Sequence, residues 1–203
     1  MNERQPKQSS ESEEASTNKA KSAARELCYI AMFVAIITIC AWIAVPIGDI
    51  PFTLQTMGVC LTAGFLGWKR SLIAVTAYIL LGLCGVPVFA GFTGGAAKLT
   101  MPTGGYIVGF LFTAPIVGAA SDYIKPKNFW ARAAVLSAAM VLGLFVLYAF
   151  GTAWFMVLYV RANKTITLAG ALSLCVVPYL VPEFFKIVVA VTLVMRLKRY
   201  IHI

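Results

Sequence analysis

The sequence predicts an all-α integral membrane protein with six transmembrane helices and a glycine-rich external loop between helices 3 and 4. Of its 203 residues, 60% are hydrophobic and only 12% are charged, whereas about a quarter are charged in soluble domains. After residue 26 the acids are limited to Asp49, Asp122 and Glu183. Apolar runs of about 20 residues, the length that crosses a bilayer, recur along this part of the chain.

Residues 1–26 differ from the rest of the chain because they are polar and rich in Ser, Glu and Lys. Such a segment buries too little apolar surface to offset the entropy of ordering it. It also lacks the apolar core and cleavage site of a signal peptide. We therefore expect residues 1–26 to be a disordered polar cytoplasmic tail and residues 27–203 to form the six-helix membrane domain.

Six apolar runs are candidates for membrane spans. The second run is short and begins with the polar stretch PFTLQT. The apolar run after residue 129 is too long for one untilted span, which predicts a break near Gly151 and a surface or partly inserted segment over 151–178. The predicted spans are 27–47, 52–68, 71–90, 104–122, 129–150 and 179–197.

The basic residues between these runs predict the orientation, because cytoplasmic loops carry an excess of Lys and Arg. One side receives eleven bases: Lys19, Lys21, Arg25, Lys69, Arg70, Lys125, Lys127, Arg132, Arg196, Lys198 and Arg199. The other side receives three: Lys98, Arg161 and Lys164. Both termini are therefore expected in the cytoplasm, in a multi-pass protein of the cytoplasmic (inner) cell membrane. Bases at the ends of apolar runs indicate the lipid bilayer as partner, not nucleic acid.

The stretch VPVFAGFTGGAAKLTMPTGGY, residues 86–106, joins predicted spans three and four on the outer face. Non-helical backbone near a bilayer is tolerated where protein covers it or where it lines a cavity. Glycine allows a close approach of backbone to a ligand, so the stretch predicts a loop folded over an external pocket. The alternative is a plain flexible connector. Lys98 in this loop is a candidate for binding a ligand carboxylate or a lipid headgroup.

The last predicted span contains Glu183 and Lys186, which share a helix face at this spacing. Charges inside a membrane span are costly and usually face the bundle interior or a water-filled cavity. Such a pair can bind a polar, partly anionic molecule. The alternative is an interfacial ion pair in which Lys186 extends to the headgroups.

The chain lacks the usual marks of catalysis. Its one histidine, His202, is next to last, and no Ser-His or paired-Asp arrangement is visible. No GxxxxGK[ST] motif is present, so we expect no ATP hydrolysis. We predict no enzymatic activity, catalytic residues, metal or cofactor. A channel is possible only if Glu183 and Lys186 line a continuous pore.

Three strings carry a family resemblance: PFTLQT at 51–56, GVPVFAGFTGG at 85–95 and PTGGY at 102–106. Together with the late Pro-acid-x-x-Lys element at 182–186, their order and spacing resemble the BioY family over roughly 27–199. Members are the biotin-specific substrate-binding (S) components of energy-coupling-factor transporters. The resemblance implies a six-helix fold that captures biotin at the outer face for uptake. An S component for another vitamin is the alternative, and a membrane enzyme or channel is less favoured.

The resemblance also implies roles for particular residues. Glu183 and Lys186 would contact the vitamin, although the usual acid at the first position is aspartate. A transmembrane T component would dock on an Ala-x-x-x-Ala element of the first span, here Ala31 and Ala35, and two ATP-hydrolysing subunits would complete the transporter. Further substrate-binding positions implied by the family are Phe89, Gly94, Gly95, Thr103, Gly104 and Gln55.

Overall fold

The computed structural model describes residues 5–45, 50–124, 126–162 and 166–198, with side chains described from residue 17 onward. Strands β1 and β2 form one short antiparallel pair. The remaining regular structure of these ranges is helical, as the sequence predicts. In chain order the elements are α1 (Gln5–Trp42), β1 (Ala44–Val45), β2 (Phe52–Thr53), α2 (Gln55–Leu83), a first 3₁₀ helix (Ala96–Thr100), α3 (Gly104–Tyr123), α4 (Phe129–Arg161), α5 (Leu168–Cys175), a second 3₁₀ helix (Val177–Tyr179) and α6 (Leu180–Leu197).

Five helical stretches in the described ranges are long and apolar enough to cross a membrane. The protein is therefore a multi-pass membrane protein. Leu168–Leu197 counts as one such stretch because α5, the second 3₁₀ helix and α6 follow one another directly. The five stretches are Thr17–Trp42, Gln55–Leu83, Gly104–Tyr123, Phe129–Arg161 and Leu168–Leu197.

Helix α2 reverses direction at Gly67. This residue has φ 76° and ψ −178°, a backbone conformation that is accessible mainly to glycine. The side-chain Nε2 of Gln55 nevertheless donates to the Tyr78 hydroxyl over 2.8 Å, whereas a continuous helix would separate these residues by about 35 Å. The two halves of α2 therefore lie side by side, and they correspond to the predicted runs 52–68 and 71–90.

Helix α1 begins at Gln5, so helical backbone is present where the sequence analysis expects a disordered tail. Residues 17–25 of this helix are exposed. The core-facing residues of α1 start further along, with Phe33, Val34 and Ile37 buried. The helix passes through residue 26 without a break, and the boundary of the membrane domain at that residue stays a prediction.

The predicted break near Gly151 is wrong. Helix α4 continues through Gly151 to Arg161, because the run after Gly151 remains apolar and glycine is tolerated within a packed helix. A Cβ at Gly151 would lie 2.4 Å from Cε1 of Tyr106, so the glycine lets α3 approach α4 closely. The predicted surface segment 151–178 is instead the end of α4 followed by α5, in which Ala171 and Cys175 are fully buried.

Polar contacts join the helices at one end of the bundle, which is here called the closed end. The residues that make these contacts are Gly64, Trp68, Ser121, Asp122 and Lys198. The Lys198 ammonium donates to the Gly64 carbonyl over 2.8 Å and to the Ser121 hydroxyl over 2.7 Å. The Trp68 backbone N–H donates to Oδ2 of Asp122 over 2.9 Å. These contacts join α2, α3 and α6 at the level where α2 reverses.

Candidate ligand-binding site

A cavity of about 220 Å³ lies at the opposite end of α6 from Lys198, and this end is here called the cavity end. Its walls come from the start of α2, the 84–103 loop, α3, α4, and the region from α5 to α6. Its lining is mostly apolar and aromatic, and the charged lining residues of the described chain are Lys98, Glu183 and Lys186. The full lining is Ile50, Pro51, Thr53, Gln55, Thr56, Phe89, Ala90, Thr93, Lys98, Met101, Pro102, Thr103, Tyr106, Ile107, Phe110, Leu147, Tyr148, Cys175, Tyr179, Glu183 and Lys186.

Glu183 and Lys186 form a buried ion pair in the cavity wall. Both lie near the start of α6, where Pro182 fits the first turn because that turn needs no N–H from it. The residues are only 5% and 6% exposed, and Nζ of Lys186 is 2.8 Å from Oε1 of Glu183. The predicted shared helix face is therefore observed, and the side chains point into the bundle instead of to headgroups.

The Lys186 ammonium has three N–H groups, and the structure provides an acceptor for each. These acceptors are the Thr53 carbonyl at 2.6 Å, the Thr56 hydroxyl at 3.1 Å and Oε1 of Glu183 at 2.8 Å. The ammonium also lies 4.3 Å from the centre of the Phe52 ring. Lys186 therefore holds the β2–α2 junction against α6 and leaves no N–H uncommitted.

The Glu183 carboxylate, unlike the Lys186 ammonium, keeps some hydrogen-bonding capacity. Its Oε1 accepts from Lys186 and from the Tyr148 hydroxyl, the latter over 3.2 Å. The Thr56 hydroxyl lies 3.0 Å from Oε1 and 3.1 Å from Oε2, but it has one proton to donate. Oε2 is therefore the oxygen with the most remaining capacity to accept an N–H from a ligand.

The sequence-predicted residues divide into two groups. Glu183, Lys186, Phe89, Thr103 and Gln55 line the cavity. The Gln55 amide is held by Tyr78, whose hydroxyl donates in turn to the Val88 carbonyl over 3.1 Å.

The three predicted loop glycines are outside the lining and serve the packing of the loop. A Cβ on Gly94 would lie 2.4 Å from the Val86 carbonyl oxygen, and one on Gly104 would lie 2.1 Å from that of Leu99. Gly95 has φ 98° and donates its N–H to the Gly82 carbonyl over 2.7 Å. These contacts hold the loop against the end of α2, which places Phe89 in the cavity wall.

Sequence reasoning missed several lining residues, and those with hydroxyl groups are Thr53, Thr56, Thr93, Tyr106, Tyr148 and Tyr179. Thr53 and Thr56 lie in the PFTLQT string, whose polarity at the start of an apolar run was a usable signal. Tyr148 lies inside the long apolar run of α4, and nothing in that run distinguishes it. The Tyr179 hydroxyl donates to the Ile50 carbonyl, a contact between segments that are far apart in the sequence.

Ala31 and Ala35 lie on α1 and are not among the residues that line the cavity. Both are exposed, whereas Phe33, Val34 and Ile37 on the other side of the helix are buried. Residues four apart occupy one face of a helix, so the two alanines form a small-residue strip directed away from the core.

A multi-pass helical protein with a polar cluster in an apolar cavity belongs to the class of membrane-embedded solute-binding proteins. The BioY family model matches residues 11–203, and the chain belongs to the BioY family. It is 39% identical to the biotin transporter BioY of Thermotoga maritima over 86% of this chain and 96% of that protein. It is 37% identical to the probable biotin transporter BioY of Pyrococcus horikoshii over 86% and 97% of the two chains.

A solved structure gives an independent comparison of the fold. The S component for biotin from an ECF-type ABC transporter matches with a TM-score of 0.76 at 29% identity, covering 88% of this chain and 93% of that one. The family and these relatives are transporters and not enzymes, in agreement with the sequence prediction.

Proposed function

We propose that the protein captures biotin with high affinity in this cavity and serves as the substrate-specific component of an energy-coupling-factor transporter for biotin uptake. The observation that carries the proposal is the Glu183 carboxylate, which is buried at the cavity wall and keeps Oε2 available as an acceptor. The BioY relatives and the matched biotin S component support biotin as the ligand.

Biotin combines groups that match the lining. Its ureido ring offers two N–H donors, of which one can be accepted by Glu183, while its thioether ring and alkyl tail suit apolar walls such as Phe89. Lys186 orients the Glu183 carboxylate, and its contacts with Thr53 and Thr56 hold its own ammonium in place. Two further family positions in the lining, Gln55 and Thr103, add polar groups along the wall.

Six membrane crossings fit the helices if the two halves of α2 cross separately, which the reversal at Gly67 supports. The eleven-to-three bias of bases supports an orientation with the termini and the closed end in the cytoplasm and the 84–103 loop outside the cytoplasmic membrane. A single cysteine at Thr100, on a cysteine-free background, should be labelled from the outside. Labelling only from the cytoplasmic side would show that the proposed topology is wrong.

The T component is proposed to dock on the strip formed by Ala31 and Ala35, and the two ATP-hydrolysing subunits assemble with the T component. Small residues let two helix backbones approach closely in a membrane. The exposure of both alanines supports this role.

The test is a titration of labelled biotin into the detergent-purified full chain. We expect one saturable site, competed by unlabelled biotin and not by thiamine or riboflavin. If another vitamin bound and biotin did not, that vitamin would be the ligand and the proposal of biotin would be wrong. No saturable binding of any of these vitamins by folded protein would refute capture by this cavity.

A further inference from the structure

The charges that line the cavity do not balance. Glu183 supplies one negative charge, and Lys98 and Lys186 supply two positive charges among the described lining residues. The described part of the cavity wall therefore has an excess of one positive charge. A monoanion is the electrostatically complementary ligand for such a site.

Lys186 is not available to meet that anion. Its three N–H groups are taken by Thr53, Thr56 and Glu183, and its charge is neutralised by Glu183 at 2.8 Å. A ligand carboxylate could reach it only by displacing one of these buried acceptors, which would cost that acceptor a charged donor.

Lys98, unlike Lys186, has an ammonium that is free to bind an anion. It is half-buried, lines the cavity, and its ammonium has no hydrogen-bond or ion-pair partner among the described residues. Its backbone is fixed within the first 3₁₀ helix: its N–H donates to the Gly95 carbonyl over 3.1 Å, and its own carbonyl accepts from Met101 over 3.3 Å. Gly95 is tied to α2 through the Gly82 carbonyl. A held backbone thus places at the cavity wall a lysine whose ammonium has no partner among the described residues.

We propose that Lys98 forms an anion subsite that binds the carboxylate of the ligand tail, separately from the polar cluster around Glu183. The inference rests on the proposed function in taking biotin as the ligand. An anion of the same chemistry is available from lipid, because a phospholipid phosphate also accepts from an ammonium. The experiment therefore has to distinguish a bound carboxylate from a bound headgroup.

The test compares biotin with biotinamide, whose tail is neutral, on the full-length protein in nanodiscs. In wild type, we expect biotin to bind roughly ten- to hundredfold more tightly than biotinamide, the range of one charge-assisted hydrogen bond. Lys98→Gln should weaken biotin to the affinity of biotinamide and leave biotinamide unchanged. Lys98→Arg should retain most of the preference. Lys127→Gln, an exposed lysine outside the cavity lining, removes the same net charge and should change neither affinity.

Each other outcome identifies what is wrong. If wild type and Lys98→Gln show the same ratio of biotin to biotinamide affinity, Lys98 is not the subsite, although biotin capture stands. If that unchanged ratio is accompanied by a stabilisation by phosphatidylglycerol over phosphatidylcholine that Lys98→Gln abolishes, the anion is a lipid phosphate. If folded wild type binds neither compound, the proposed function itself fails.

Discussion

Lys186 of α6 and Lys198, the residue directly after α6, lie at opposite ends of the bundle, about 18 Å apart along the helix axis, and they make different contacts. At the closed end, Lys198 donates to the Gly64 carbonyl and the Ser121 hydroxyl. At the cavity end, Lys186 donates to a carbonyl, a hydroxyl and the Glu183 carboxylate. Both lysines tie α6 to α2, but only Lys186 does so beside a carboxylate and a cavity.

The difference lies in what surrounds each lysine. Near the closed end α3 packs directly against the α2 backbone, since a Cβ on Gly118 would lie 2.6 Å from the Trp68 backbone nitrogen. At the cavity end the same type of contact orients Glu183 at the wall of a space of about 220 Å³. A buried lysine that links helices is therefore a structural feature at one end, whereas at the other it also prepares an acceptor for a ligand.

The largest effect on biotin affinity is expected from Lys186→Met. Removing one partner of a buried pair leaves the other charge uncompensated and costs about 3–5 kcal/mol. We expect this loss in unfolding free energy together with biotin affinity at least a hundredfold weaker, measured by thermal unfolding and equilibrium binding on the same preparation.

The double variant Glu183→Gln/Lys186→Met separates stability from binding. Removing both charges should recover much of the stability, because no lone buried charge remains. Binding should stay weak, because the acceptor carboxylate is gone. Wild-type affinity in the double variant would show that the Glu183–Lys186 pair has only a structural role, like that of Lys198.

A smaller effect on affinity is expected from Tyr148→Phe. This change removes one hydroxyl that donates to Glu183 over 3.2 Å, a contact worth about 0.5–1.5 kcal/mol, so biotin should bind roughly two- to tenfold more weakly. Tyr123→Phe is the matched control at the closed end, where the hydroxyl accepts from the Trp68 indole N–H over 3.0 Å. Equal effects of the two variants on biotin affinity would argue against a special role for the cavity end.

Lys198→Met should leave biotin affinity within about twofold of wild type, because distant sites behave independently. It should still lower the unfolding free energy by about 1–3 kcal/mol, since the Gly64 and Ser121 oxygens lose a charged donor. A drop in affinity without a drop in stability would contradict the division between the two ends.

The smallest effect on biotin affinity is expected from Ala31→Trp, which lies on the exposed strip of α1. An indole cannot fit a close helix crossing, so the T component should no longer co-purify while isolated protein binds biotin normally. Ala134→Trp, on an exposed position of α4, should leave assembly intact. Co-purification that survives both Ala31→Trp and Ala35→Trp would remove the strip from the interface.

Local sequence signals predicted the cavity end better than the closed end. The Glu183–Lys186 spacing and the PFTLQT string mark the polar cluster because charges and hydroxyls are unusual in apolar runs. The closed end depends on contacts such as Lys198 with Gly64, which link residues far apart in the chain. Its reversal at Gly67 follows from one backbone conformation, and the local pattern gave only the boundary between two apolar runs.

The prediction for α4 is wrong because it rests only on the length of the apolar run. The apolar run 129–160 is longer than one untilted span needs, which predicts a break near Gly151. In the structure Tyr106 of α3 packs against the bare Gly151 backbone and α4 continues. The same limit applies to Tyr148, which becomes part of the site only because α4 brings its hydroxyl to Glu183. Both features depend on helix packing, which the spacing of residues in one run does not encode.

The most direct test of the account is the titration of biotin into Glu183→Gln beside wild type and Lys198→Met. Glutamine keeps the shape of the side chain and removes its charge. We predict a dissociation constant ten- to hundredfold higher for Glu183→Gln at full binding capacity, a smaller increase for Glu183→Asp, and wild-type binding for Lys198→Met. Wild-type affinity in folded Glu183→Gln would contradict the claim that this carboxylate binds the ligand.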